Sequence, residues 1–202
     1  MQEVLFVLLD RYADWEAASL AAVLNSKPDD TEQKYCVKTV GLTKDGVRSI
    51  GGFTTLPDYT LDTAPSEFAG IILIGGESWR NPEAELVLPL LNRAVAQNAL
   101  IAAICDATTF LGKNGLLNEA KHTSSGLTVL QEWAKENYTG APLYLEEEAV
   151  REGNLVTANG TAFLEFAREV MLGLKAAPDA EVLEWYDFYK LGYYEAMKKM
   201  HK

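Results

Sequence analysis

Histidine is nearly absent from this sequence: His122 and His201 are the whole supply. Cysteine is as scarce, with only Cys36 and Cys105. Two thiols are too few for a disulfide scaffold in a chain of 202 residues. No pair of histidines stands at zinc-ligand spacing from a cysteine, so neither a metal nor another cofactor is expected. Basic charge is also short. Eighteen Lys and Arg against 29 Asp and Glu leave a formal charge of -11. Such a surface repels phosphate backbones and anionic lipid, so neither nucleic acid nor membrane is an expected partner. No apolar run approaches the roughly 18 residues of a membrane span. The start, Met1-Gln2-Glu3-Val4, lacks the basic n-region of a signal peptide. The expectation is a cytoplasmic protein with free thiols.

Apolar residues are plentiful, at 48%, and their pattern alternates between two kinds of element. Val4–Leu9, Ile71–Ile74 and Leu100–Ile104 are continuous apolar runs and read as strands buried on both faces. Tyr35–Val40 reads as a further strand. Turn signals at Asp45-Gly46 and Gly51-Gly52 predict short hairpin strands within 43–55. A second hairpin over Ala149–Ala158 turns at Gly153-Asn154. Helices are predicted over 15–24 with Asp14 as N-cap, over 82–97 with a kink or division at Pro89, over 108–113, over 128–137 and over 161–174. The polar stretch around Pro28 reads as a loop. A single last helix is expected over 181–199. Strands alternating with helices predict an α/β sandwich around a mostly parallel sheet. Residues 1–175 form the expected domain, and 176–202 a C-terminal helical extension.

Ligands of open α/β sheets gather beyond the carboxyl ends of the strands. Three strand ends carry unusual residues. The first leads through Asp10 to Trp15 and Glu16. The second leads to Gly75, Gly76 and Trp79. The third leads to Cys105 and Asp106. A cysteine between a buried strand and a helix sits on a tight elbow, where helix N–H groups favour thiolate. The same residue could equally be a buried, inert thiol. Glu16 reads either as a neighbour of that site or as a solvated first-turn carboxylate. Gly75-Gly76 could expose N–H groups as an oxyanion hole or form a plain turn. Trp15 and Trp79 are placed at the pocket rim or in the core.

The run Ala102-Ala103-Ile104-Cys105, then Leu111, Gly115-Leu116-Leu117 and Lys121-His122-Thr123, resembles the nucleophile-elbow region of the ThiJ/PfpI family. Leu8-Leu9-Asp10 with Asp14-Trp15-Glu16, the Ile74-Gly75-Gly76 turn and the run Gly153 to Gly160 match in order. The resemblance spans about Val4 to Leu174. That family belongs to the class I glutamine amidotransferase-like superfamily, and the resemblance implies a flavodoxin-like three-layer sandwich and a homodimer. It makes Cys105 the nucleophile and Glu16 the acid touching its sulfur. Gly75, Gly76 and the Asp106 amide would line the oxyanion hole. Protease-like members carry His directly after the cysteine, where this chain has Asp106. Other members carry a His shortly after the next strand, where the register places Ser124 or Ser125. His122 falls about three residues early, on the strand itself. It stands as a possible base or as a packing residue. His201 lies in the tail.

A Cys–His hydrolase needs an imidazole beside its nucleophile. Its matching position is not filled here. Three functions remain open at this point. One is a cysteine-dependent hydrolase or amidase, or a deglycase or glyoxalase, acting on small molecules or peptides. Another is a non-enzymatic stress or redox protein using oxidation of Cys105. The third is a binding or dimerisation module with a vestigial site. The thiol of Cys105 is expected to ionise early and the carboxyl of Glu16 late, because two anions cannot share a desolvated pocket cheaply.

Overall fold

The computed structural model describes residues 1–26 and 33–200. Its centre is a seven-stranded sheet. β1 (Gln2–Val7) pairs in parallel with β2 (Tyr35–Gly41) on one side and β6 (Gly70–Leu73) on the other. β2 continues to β5 (Tyr59–Thr60), and β6 to β7 (Leu100–Ile104) and then β9 (Leu155–Ala158), all parallel. Only the edge strand β8 (Ala149–Glu152) runs antiparallel, as a hairpin with β9. A separate two-stranded hairpin joins β3 (Val47–Arg48) to β4 (Thr54–Thr55).

The continuous apolar runs are explained by cover on both faces. Leu5, Val7 and Leu9 point into one core, and Val4, Phe6 and Leu8 into the other. The strand period of two thus places every residue of the run in apolar surroundings. The first core is closed by α2 (Leu88–Ala96), α3 (Ala107–Lys113) and α4 (Leu127–Ala134). The second is closed by α1 (Asp14–Asn25) and α5 (Phe163–Leu174). This is the flavodoxin-like three-layer arrangement.

Several local expectations change. Asp14 is the first residue of α1, not its cap. Ala13 holds the cap position, and the Asp14 carboxylate instead accepts the Gly51 N–H at 3.1 Å. Pro89 divides its segment: a 3₁₀ stretch over Pro82–Val87 precedes α2, and the proline falls in the first turn, where its missing N–H costs little. α4 stops at Ala134, and a 3₁₀ turn follows. The last segment is two helices, α6 (Asp179–Leu191) and α7 (Tyr193–Met200), separated at Gly192 with φ 80°. β5 has no counterpart in the sequence reading, because two residues carry no period. His122 lies on no strand; it forms an isolated bridge to Tyr144. The loop around Pro28 and His201 lie outside the described residues. Among the described residues no helix is long and apolar enough to cross a membrane.

Candidate active site

Strand order reverses direction at β1, with β2 on one side and β6 on the other. The loops after β1, β6 and β7 therefore open together at the carboxyl edge. Hydrogen bonds stitch the first two loops. Ala13 N–H donates to Gly75 O at 2.9 Å, and Glu77 N–H to Arg11 O at 3.2 Å. Outside them, Arg11 and Glu77 pair through two bonds of 3.0 Å. This stitching carries the first turn of α1 over the Gly75 turn.

Cys105 follows β7 directly and has φ 58°. That left-handed backbone is strained for a residue with a side chain, and it is held by Cys105 N–H to Ala158 O at 3.0 Å. The side chain is half-buried. Glu16 is buried beside it, at 1% exposure. Its Oε2 accepts the Gly75 N–H at 2.9 Å. Its Oε1 is buried with no hydrogen-bond partner among the described residues, and it faces the same point beside Gly160 as the Cys105 sulfur. Two glycines make the closeness possible. A Cβ on Gly75 would lie 2.6 Å from the Cys105 Cβ and against the Glu16 carboxyl, and one on Gly160 would lie 2.8 Å from the sulfur.

Burial pushes the Glu16 carboxyl up to about 7, against lowering by the Gly75 N–H and the Cys105 thiol. Burial and then the charge of Glu16 push the Cys105 thiol up to about 11, against the favourable Asp106 N–H and Ser125 hydroxyl. The raised carboxyl agrees with the like-charge argument. The raised thiol corrects the expectation of early ionisation. α3 is seven residues long, and its end does not outweigh desolvation together with a neighbouring carboxylate. Below about 7 both groups therefore hold a proton, and from there up to about 11 the pair holds one, on the sulfur.

Other expected site residues separate. The Gly75 N–H is taken by Glu16, so it is not an oxyanion donor. The Gly76 N–H has no backbone partner among the described residues, and the Asp106 N–H favours the ionised thiol. The Asp106 carboxylate is held at 2.7 Å by Arg80, whose guanidinium lies 4.6 Å from the ring centre of Trp133. Trp79 is core, not rim: it is 3% exposed, packs on Phe110 and donates its indole N–H to Ile74 O. Trp15 stays exposed at the start of α1.

His122 is buried with both nitrogens engaged, Nδ1 with Ala120 O and Nε2 with the Tyr138 hydroxyl, each at 2.7 Å. A carbonyl only accepts, so Nδ1 carries the proton and Nε2 accepts from Tyr138. Burial holds its pKa below the ordinary value. No ring nitrogen is left for the thiol. Its role is to pin the segment before Ser124 and Ser125. A cleft of about 400 Å³ lies beyond that segment, lined by Ser125, Gly160, Glu146, Glu147 and Glu148 among others. Gly160 was passed over as a site residue in the sequence. The signal for it is its place after β9, the strand next to β7. Among the described residues no three His, Cys, Asp or Glu side chains gather as a metal site.

Comparison with known proteins fits this geometry. The model of the DJ-1/PfpI family matches residues 2–172. A Bacillus subtilis relative named as the uncharacterized protease YdeA is 42% identical over 171 residues, covering 85% of this chain and 82% of its own. A second, the uncharacterized protease YoaZ of the same organism, is 36% identical over 195 residues, covering 94% and 91%. The crystal structure of a thiJ/pfpI family protein from Bacillus anthracis superimposes with a TM-score of 0.88 at 33% identity, over 99% of this chain and 95% of that one.

Proposed function

The chain belongs to the DJ-1/PfpI family, and from that premise we propose that it is a cysteine-dependent enzyme acting on small carbonyl compounds, of the glyoxalase or deglycase kind. The observation that supports this reading is the contact between Cys105 and a single buried acid, Glu16, titrating near 7. A group with that pKa is matched to proton transfer at neutral pH. As the sulfur bonds to a carbonyl carbon, the C=O π pair moves to oxygen. Glu16 takes the S–H proton and returns it to that oxygen, giving a hemithioacetal. The Gly76 and Asp106 N–H groups hold the oxygen while it is negative.

Hydrolysis of a peptide or amide asks for more, because the leaving nitrogen needs its own proton donor. His122 is engaged elsewhere. That favours carbonyl addition over the protease or amidase reading that the relatives' names suggest. Redox sensing needs a standing thiolate. A thiol pushed up to about 11 disfavours it. Glu146, Glu147 and Glu148 along the cleft favour uncharged substrates over carboxylates.

The test is a screen of α-ketoaldehydes, their acid analogues, amides and peptides with the wild type and Cys105→Ala. Turnover of uncharged dicarbonyls that needs Cys105 is expected. Turnover of peptides or amides alone would replace this reading with the hydrolase one. A homodimer is part of the same proposal, supported by the exposed Leu183, Tyr189, Tyr193 and Tyr194 of α6 and α7. Light scattering that gives a strict monomer removes it.

A further inference from the structure

We propose that Ser125 is a third member of the reactive centre, donating its hydroxyl proton to the Cys105 sulfur and holding the negative charge that develops there during attack. The assignment rests on the Cys105-centred reading above. It starts from hydrogen-bond accounting. Ser125 Oγ accepts the Gly160 N–H at 3.1 Å. A hydroxyl has one hydrogen, and an oxygen pinned as acceptor on one side has that hydrogen free for the other. The residue that pins it is also the one that stands against the sulfur. Gly160 itself stands so close that a Cβ on it would lie 2.8 Å from Sγ. The Ser125 hydroxyl also favours the ionised thiol.

The segment is held in that place from several directions. Thr123 N–H donates to Thr157 Oγ1 at 2.8 Å, and Thr123 Oγ1 to Glu147 O at 2.9 Å. Tyr144 donates to Ser124 O at 3.1 Å. Ser124 Oγ lies 2.8 Å from Thr108 Oγ1, which donates to Cys105 O at 2.6 Å. Ser124 thus reaches the Cys105 carbonyl by way of Thr108, and Ser125 follows it on the Gly160 side. Ser125 is exposed and lines the cleft together with Gly160, so the proposed bond lies on the side a substrate enters.

The division of labour differs from that of a Cys–His pair. An imidazole trades protons near neutrality. A serine hydroxyl does not, and only donates a hydrogen bond. All proton transfer then falls to Glu16, and Ser125 lowers the cost of sulfur charge alone.

The experiment measures the rate of Cys105 alkylation by iodoacetamide against pH, located by mass mapping, in wild type, Ser125→Ala and Ser125→Thr. Carbonyl turnover is measured beside it. Ser125→Ala should react about tenfold more slowly near neutrality, the scale of one hydrogen bond to a charged group, with its inflection moved to higher pH. Ser125→Thr, which keeps the hydroxyl, should restore the wild-type profile. Profiles of wild type and Ser125→Ala that superimpose overturn the proposal, and so does a Thr variant as slow as Ala. The exposed position leaves the fold intact, which melting curves of the three proteins check. Alkylation does not depend on turnover. A Ser125-dependent profile in a protein that turns over no carbonyl supports this assignment and removes the enzyme reading. Cys105-dependent turnover with superimposed profiles does the reverse.

Discussion

Glu16 and Glu165 occupy equivalent places. Each is the third residue of its helix, α1 and α5, and both helices cover the same face of the sheet. Both carboxyls are buried, at 1% and 6% exposure. Their surroundings are opposite. Glu165 accepts from Tyr186 at 2.6 Å and from Lys190 at 2.7 Å. Burial works to raise its pKa, but these two partners bring it below the ordinary value. Glu16 receives one backbone N–H and no cation, and stays up at about 7. A carboxylate satisfied by a cation ties α6 to α5 and does no chemistry. One left beside a thiol with no cation to satisfy it is poised to exchange a proton with it.

The largest effect expected from breaking this contrast is on turnover. Cys105→Ala should abolish carbonyl turnover altogether, read in a steady-state assay, and persistence of turnover would place the chemistry elsewhere.

Glu16→Gln comes next and should act in two directions. Turnover should fall about a hundredfold, the usual scale for a lost acid–base group. Stability should rise. A carboxyl whose folded pKa lies above its unfolded value makes the protein less stable as pH climbs from 4.5 towards about 7, because only the unfolded chain ionises there. The accumulated cost at higher pH is on the order of 3 kcal/mol. Melting curves should show the Gln variant more stable than wild type above neutrality, and the two converging in acid. Equal stability at all pH values would mean that Glu16 is not held protonated.

Glu165→Gln should behave in the opposite sense. A depressed folded pKa contributes stability above the ordinary carboxylate range and loses it as pH falls through the folded value. Lys190 is half exposed, so screening limits the loss near neutrality to about 1 kcal/mol. Denaturant titration at neutral and acid pH checks both the size and its disappearance. His122→Gln is the smallest case. It should cost about 1 kcal/mol through its two buried hydrogen bonds and leave the Cys105 alkylation rate unchanged. A large loss of thiol reactivity would bring imidazole back into the chemistry.

How much of this was legible in the sequence varies with the physics involved. β1, β6 and β7 show themselves as unbroken apolar runs because both faces of the sheet are covered. The elbow at Cys105 shows itself because a buried strand meets a helix there. β5 is two residues long and sets no pattern. The break at Gly192 hides between two aromatic stretches that read as one. Rim and core could not be told apart for Trp79 in the sequence, because its indole partner is a backbone carbonyl, Ile74 O, which no side-chain pattern reveals. The thiol was expected to be acidic from the helix end alone. Its burial and the approach of Glu16 through Gly75 and Gly160 are properties of the packed fold. Ser125 was placed only by register, since a serine after Ser124 carries no signal of its own.

The central claim is that Glu16 keeps its proton against Cys105 well above the ordinary carboxylate range. Difference infrared spectra between wild type and Glu16→Gln across pH test it most directly. A protonated carboxyl band that persists beyond 4.5 and disappears around 7 is the predicted result. A band lost by 4.5, with Glu16 ionised from there upward, would contradict the account.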